Sequence, residues 1–406
     1  MMENLTIESN IKLQEATERT WDIIVIGAGV AGASTAILAA QRGWNVLLIE
    51  SKRFPREKVC GGCLNARATH WLEQLGILER VRKAGAVDLE RLNVQIGSTG
   101  CSWKLPRLLS VRRSTLDSLL VERAMEVGVR FLQETTATID EETVTDGNSI
   151  SVDLQLRSVG STQLGTARAH YTVVACGLTR SALASRDDWP SVVAPNSRIG
   201  VHCLLPVHAI PEDLLHADKL GKDHPSVLHM LVGPNGYVGI CRADGDFFDF
   251  AAALDPKKVS GKLGIPRCVD ELMISCGWNK IPAIYDVPWL STPHLTRTTT
   301  IVARKRLFLV GDSVGYVEPF TGEGMSWALA GAFTLVPILD SAIRTGENNA
   351  AEFAWNAWVS RQRHVSQSVC RWVASQARRP DRARWALRVC DWIPPLRHFL
   401  LRKATQ

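Results

Sequence analysis

Between Lys58 and Cys63 the chain reads KVCGGC, and a helix-forming stretch, ARATHWLEQLG, follows from Ala66 behind Asn65. Two thiols around two glycines could be a redox dithiol, half of a metal site, or a loop held against a flat cofactor. A structural zinc site needs four ligands. No second C-x-x-C of suitable spacing occurs, and His70 is a lone imidazole suited to packing or solvation. A thioredoxin-like dithiol would open the helix of a different βαβ pattern. The choice therefore rests on the elements that would carry a cofactor to this loop.

Those elements start upstream. Residues 21–50 read WDIIVIGAGVAGASTAILAAQRGWNVLLIE. Residues 22–26 are an apolar run expected to be a buried strand. Gly27, Gly29 and Gly32 follow as G-x-G-x-x-G, then a small-residue helix over 33–41 and a second strand over 46–49 that ends on Glu50. Gly27 permits a tight turn, Gly29 lets backbone approach a pyrophosphate, and Gly32 lets helix and strand pack closely. The helix N-terminus favours the anion, and Glu50 is placed to accept from ribose hydroxyls.

A second fixed point lies far downstream, in RKRLFLVGDSVGYVEPFTGEGMSWALAGA over residues 304–332. Residues 307–310 form a strand closed by Gly311 and Asp312, and Asp312 can bind a polyol hydroxyl. A loop runs from Pro319 through Gly322, Glu323 and Gly324, and a long apolar helix starts at Met325. Its N-terminus would face a second negative group.

With these motifs the sequence resembles the FAD-dependent oxidoreductases of the aromatic hydroxylase and geranylgeranyl reductase superfamily, over residues 20–345. VRRSTLD, residues 111–117, is similar to that family's Arg-x-x-Leu-Asp segment, which makes Arg113 the FAD-contacting arginine and leaves Arg112 solvated. In YTVVACGLTRSAL, Cys176 stands where the family has Asp, and Ser181 fits the family's Ser. Ser313-Val314-Gly315 replaces the hydroxylases' His, as in geranylgeranyl reductases and flavin halogenases. The halogenases' Trp-x-Trp-x-Ile-Pro segment is not matched, which argues against halogenation. A segment like KVCGG lies beside the flavin in geranylgeranyl reductases. Cys60 is then the thiol to test as a proton donor, Cys63 is helix-start packing, and Gly61 and Gly62 give clearance for a flat ring.

The resemblance implies an α/β protein: a Rossmann-like FAD-binding domain of glutathione reductase type, an inserted antiparallel β-sheet substrate domain, and a C-terminal helical segment. The FAD domain is expected from 20–95, 106–190 and 298–345, and the substrate domain from 96–105 and 191–297. Strand-like runs at 197–205, 226–233, 236–243 and 247–254, with turn signals at 234–236 and 244–245, fit that insert. Tyr237 would either face the flavin or fill the sheet. No second glycine-triplet unit is visible, so NAD(P)H or another electron donor would dock transiently.

The chain has 406 residues, 46% hydrophobic and 22% charged, as in an ordinary globular protein of more than one core. Residues 1–19 are polar and lack a signal-peptide core, so a disordered tail and a cytoplasmic location are expected. Ten cysteines are too sparse for a disulfide framework. No apolar run stands out as a membrane span. Residues 361–406 hold eleven Arg or Lys against two Asp, a net +9, so the rest of this +6 chain sums to −3. Residues 346–406 are thus a basic helical segment, with Trp372, Trp385, Trp392, Phe399 and Leu400 beside its arginines. Such a segment either caps the substrate domain or makes peripheral contact with an anionic membrane. No nucleic-acid module is recognisable.

Two reactions are open: oxygenation of a hydrophobic substrate, or hydride transfer to an isoprenoid alkene as in geranylgeranyl reductases. GYVGICRADGD and EPFTGEGMSWALAGA are similar to flavoproteins accompanying type III polyketide synthases, which favours oxidation of a polyketide-like or phenolic lipid. A flavin-free lipid-binding chaperone, as in the GDP-dissociation inhibitors, would show decayed FAD motifs. Here the triplet, Glu50, Arg113 and Asp312 are all present.

Overall fold

The structure, a computed structural model, describes residues 6–145, 149–160, 162–216, 226–244, 246–259, 264–318, 322–376 and 378–392. Eight helices are used below: α1 (Leu13–Thr17), α2 (Val30–Ala40), α3 (Ala66–Gln74), α4 (Arg113–Glu126), α5 (Gly264–Ser275), α6 (Gly324–Thr345), α7 (Asn348–Gln376) and α8 (Pro380–Trp392).

The first sheet has Thr20–Ile26 at its centre. Its neighbours are Val46–Ile49 and Leu164–Val174, both parallel to it. Arg130–Leu132 and Leu307–Leu309 extend it on either side, again in parallel. Ile23, Ile24 and Val25 are fully buried, as are Leu47 and Leu48. Side chains of this kind contribute about 1.5–3 kcal/mol each on burial, so a continuous apolar strand is what a sheet covered on both faces requires. Helices α2 and α6 pack on it, and Gly331 lets α6 approach within 3.1 Å of Val310 Cγ2 at the missing Cβ.

The second sheet runs in the order Leu290–His294, Ile199–Pro206, Phe247–Leu254, Gly236–Ala243, Val227–Gly233, Val87–Ile96, Thr99–Ser110, Cys63–Leu64. The four strands expected in the insert occur, with the expected turn between Val227–Gly233 and Gly236–Ala243. Two corrections follow from register. Val87–Ile96, expected in the FAD domain, belongs here, because it forms a hairpin with Thr99–Ser110. It also pairs parallel to Val227–Gly233, so the sheet is mixed. One face packs on α5 through Val269, Leu272 and Met273.

Residues 6–19 are not a disordered tail. They include α1, and Ile7, Ile11, Leu13 and Ala16 are buried in the main core. Helix α6 is, among the described residues, the one helix long and apolar enough to cross a membrane. Its most apolar window is 56% buried against the parallel sheet, α2 and α7, which makes it a core helix. Pro394, Pro395, Phe399 and Leu400 lie outside the described residues.

Candidate functional site

A single cavity of about 930 Å³ runs from the glycine turn into the second sheet. Its first half is built around the turn after Thr20–Ile26. Gly27 has φ +103°, and a Cβ there would sit 2.5 Å from Ala175 O. At Gly32 a Cβ would meet Gly27 O at 1.8 Å, so the turn and helix close only on glycine. Helix α2 starts at Gly29 with no side-chain cap, which leaves its first N–H groups for an external anion.

Two guanidinium groups face that helix start. The missing Cβ of Gly29 would lie 3.5 Å from Arg113 Nη2 and 3.6 Å from Arg56 Nη2. Arg113 donates twice to Asp117, at 3.0 and 2.8 Å. Arg56 bridges Asp117 (3.1 Å) and Glu50 (3.2 Å). Burial opposes charge on both members of the Arg113–Asp117 pair. Their mutual attraction prevails, so Asp117 titrates below the usual carboxylate range and Arg113 stays protonated. Arg56 Nε is buried without a partner, an unmet donor beside the turn. Glu50 accepts the Ala28 N–H (3.1 Å) and the Lys52 N–H (3.0 Å) and lines the cavity. Arg112, expected to be solvated, instead ties the domains: its Nε donates to Asp244 at 2.7 Å and its guanidinium lies over Phe247.

The downstream motif closes the opposite wall. Gly311 has φ +62°, and its missing Cβ would be 2.8 Å from Ala31 Cβ at the start of α2. Asp312 lines the cavity with Lys58 Nζ 4.0 Å away. Gly322, Gly324 and Met325 also line it, where α6 begins without a side-chain cap. Pro319 lies outside the described residues. Glu323 is not on the cavity wall: it turns toward α7 and accepts from the Cys370 thiol at 3.2 Å. Burial pushes its carboxyl up to about 7 against that hydrogen bond. Cys176 lines the cavity in place of the family's Asp, and burial raises its thiol to about 11, so it supplies no charge.

The KVCGGC loop joins the two halves. Cys60 is half-buried on the wall, and burial raises its thiol against the pull of Arg113. Gly62 is required by its own turn: φ is +62°, and a Cβ would strike Val111 O at 2.6 Å. Ring clearance is therefore not the reason for this glycine. Cys63 is not helix-start packing; it lies in the strand Cys63–Leu64, reaches the cavity wall, and its thiol donates to Gly61 O at 3.1 Å. Asn65 is the cap of α3, accepting the Ala68 N–H at 3.0 Å. Behind the loop, Asp249 Oδ2 lies 3.3 Å from His202 Nε2, both buried. Burial works against charge on His202, and Asp249 outweighs it, so His202 titrates above its usual range.

Beyond the loop the walls are apolar. Val94, Met230, Val232 and Leu295 line the cavity there together with small residues at Gly239, Ala251 and Ala253. Tyr237 lines this half, with Arg198 at 5.6 Å from its ring. Burial, then Glu318, holds its phenol well above the usual range. Tyr316 was missed by sequence reasoning. Its hydroxyl lies 3.6 Å from where a Gly324 Cβ would be, and burial holds it protonated. The signal was its place between Asp312 and Gly322. Arg56 was missed too, because its partners come from two distant segments. The inner faces of α7 and α8 complete the wall through Trp372, Ala383, Leu387 and Cys390. Among the described residues no group of His, Cys, Asp or Glu could hold a metal ion.

A glycine cradle, an unmet arginine donor and two uncapped helix starts around one cleft fit a dinucleotide cofactor. Residues 20–372 match the family described as FAD binding domain. The chain belongs to that family: it has the fold of flavin monooxygenases, and FAD is its cofactor. Three similarities locate it further. A menaquinone reductase of Mycobacterium tuberculosis is 35% identical over 119 residues, which span 27% of this chain and 28% of that relative's length. The flavin-dependent brominase Bmp2 superposes with a TM-score of 0.74 at 17% identity, covering 95% of this chain and 94% of its own. PqsL of P. aeruginosa, solved in complex with 2-aminobenzoylacetate, gives 0.69 at 17%, covering 91% and 100%. At these identities the two structures speak for the fold.

Proposed function

We propose that the protein carries out monooxygenase-type oxidation of a hydrophobic small molecule, a polyketide-like or phenolic lipid, with NAD(P)H as the transient electron donor. The observation that carries this reading is the make-up of the cavity. Its lining carboxylates, Glu50, Glu57 and Asp312, all belong to the cofactor half. The other half offers apolar side chains, thiols and phenols, a lining that excludes water and orients a substrate by shape.

In this reading Gly27, Gly29 and Gly32 with the start of α2 hold the pyrophosphate of FAD, and Arg56 and Arg113 neutralise it. Glu50 accepts from the ribose and Asp312 from the sugar-alcohol chain. Gly322, Gly324 and Met325 present the N-terminus of α6 to the ring. Bound FAD supplies the two-electron chemistry at its isoalloxazine. Tyr316 and Tyr237 keep their protons and can donate hydrogen bonds to a substrate oxygen. None of the ten cysteines is in a disulfide, which supports a reducing, cytoplasmic setting.

One observation favours a reductive alternative. Cys60 is a thiol kept protonated at the junction of the two halves, suited to give its proton to one alkene carbon when hydride reaches the other. The test is isotopic. FAD-loaded protein is reduced, then given ¹⁸O₂ and a candidate phenolic lipid; product carrying one ¹⁸O atom is expected. Anaerobic reoxidation by a prenyl alkene, abolished in Cys60→Ala, would replace oxidation with alkene reduction.

A further inference from the structure

All three well-exposed tryptophans of the described residues lie on the last two helices: Trp372 (51%), Trp385 (70%) and Trp392 (90%). The other tryptophans are buried, as at Trp21, Trp189 and Trp355, or half-buried, as at Trp71 and Trp358. Helix α8 shows why this is a pattern. At 100° per residue, Ala383, Leu387 and Cys390 form its inner face, are buried, and line the cavity. Trp385 and Trp392 fall together on the opposite face, outside the protein. Exposed arginines flank that stripe, Arg384 and Arg388 on one side and Arg382 on the other. The helix is fixed in this orientation by Trp103 Nε1, which donates to Asp391 at 3.1 Å, and by Arg384, which packs against the turn at Gly97.

A helix with an apolar inner face and an outer face of tryptophan and arginine has two partners. The inner one is the cavity. Tryptophan's ring suits the boundary between headgroup and acyl chain, and arginine suits anionic headgroups. The charge balance agrees: residues 371–392 hold six Arg against two Asp. We propose that the outer face of α8 docks on an anionic lipid surface, and that the cavity takes its substrate from that surface across α8. The docking stands on these residues alone; the delivery step rests on the hydrophobic-substrate reading above.

The test uses the FAD-loaded full chain and vesicles of phosphatidylcholine, with or without about 30% phosphatidylglycerol. Sedimentation with the anionic vesicles is expected, weakened by about 0.5 M salt. Trp385→Ser with Trp392→Ser, or Arg382→Glu with Arg388→Glu, should weaken binding at least tenfold. The visible spectrum of bound FAD should be unchanged, which shows that the variants fold. Equal binding to neutral vesicles, or variants that bind like the parent, would overturn the docking. So would a dimer in solution that dissociates in the tryptophan variant, because a second copy would then cover the face. Docking with no gain in turnover of a vesicle-borne substrate would overturn the delivery step and leave the docking.

Discussion

The two halves of the cavity are built on opposite principles. In the cofactor half, charged groups hold one another: Asp117 lies between Arg113 and Arg56, and Arg56 reaches on to Glu50. Position there is set by hydrogen-bond geometry, and a missing partner leaves a buried charge. In the substrate half, Gly239, Ala251 and Ala253 make room by what they lack. Position there is set by volume. The first half is suited to one ligand; the second can change its ligand by changing a few methyl groups.

The largest effect should come from removing the shared carboxylate. Asp117→Ala leaves Arg113 and Arg56 buried beside each other. A loss of about 3–5 kcal/mol in unfolding free energy is expected, read by denaturant titration, together with loss of bound FAD. If the variant keeps both, the charge network is not what holds the cofactor half. Glu323→Gln probes the contact between the start of α6 and α7. The carboxyl is raised from 4.5 to about 7, so its protonated form favours folding. That stability is complete below pH 4.5 and is lost as pH rises through 7, by up to about 3 kcal/mol. The parent should lose thermal stability between pH 5 and 8 relative to Glu323→Gln, and parallel melting curves would refute this. The smallest effect belongs to the substrate half. Ala251→Phe should leave the FAD spectrum and melting point nearly unchanged while weakening a hydrophobic ligand about tenfold, or 1.4 kcal/mol. A variant that also sheds FAD would erase the distinction between the halves.

How much of this was legible follows the same division. Gly236–Ala243 and Phe247–Leu254 were readable because turn residues bound them on both sides. Gly27, Gly29, Glu50 and Asp312 stood out because their motifs keep a regular spacing, and they line one cavity, with Arg113 beside Gly29 and Gly32 packed behind the turn. Val87–Ile96 was assigned to the other domain because its parallel partner, Val227–Gly233, is remote in sequence and leaves no local mark. The segment around Ile7 and Ile11 was read as a tail because short runs of mixed polarity hide an apolar face that only the finished core reveals. Arg56 and Tyr316 were missed for a related reason: neither type nor spacing announces a group whose partners arrive from other segments. Arg112 was misjudged because Asp244, which claims it, lies 132 residues away.

One small feature sets the mechanics of the whole. The outermost strand of the substrate sheet is two residues long, Cys63–Leu64, paired to Ser110 and Leu109. Cys60 lies three residues before it, with Gly62 locked under Val111. The sheet edge and the cofactor loop are therefore one continuous piece of chain, and the pairing of two residues fixes where Cys60 stands on the cavity wall.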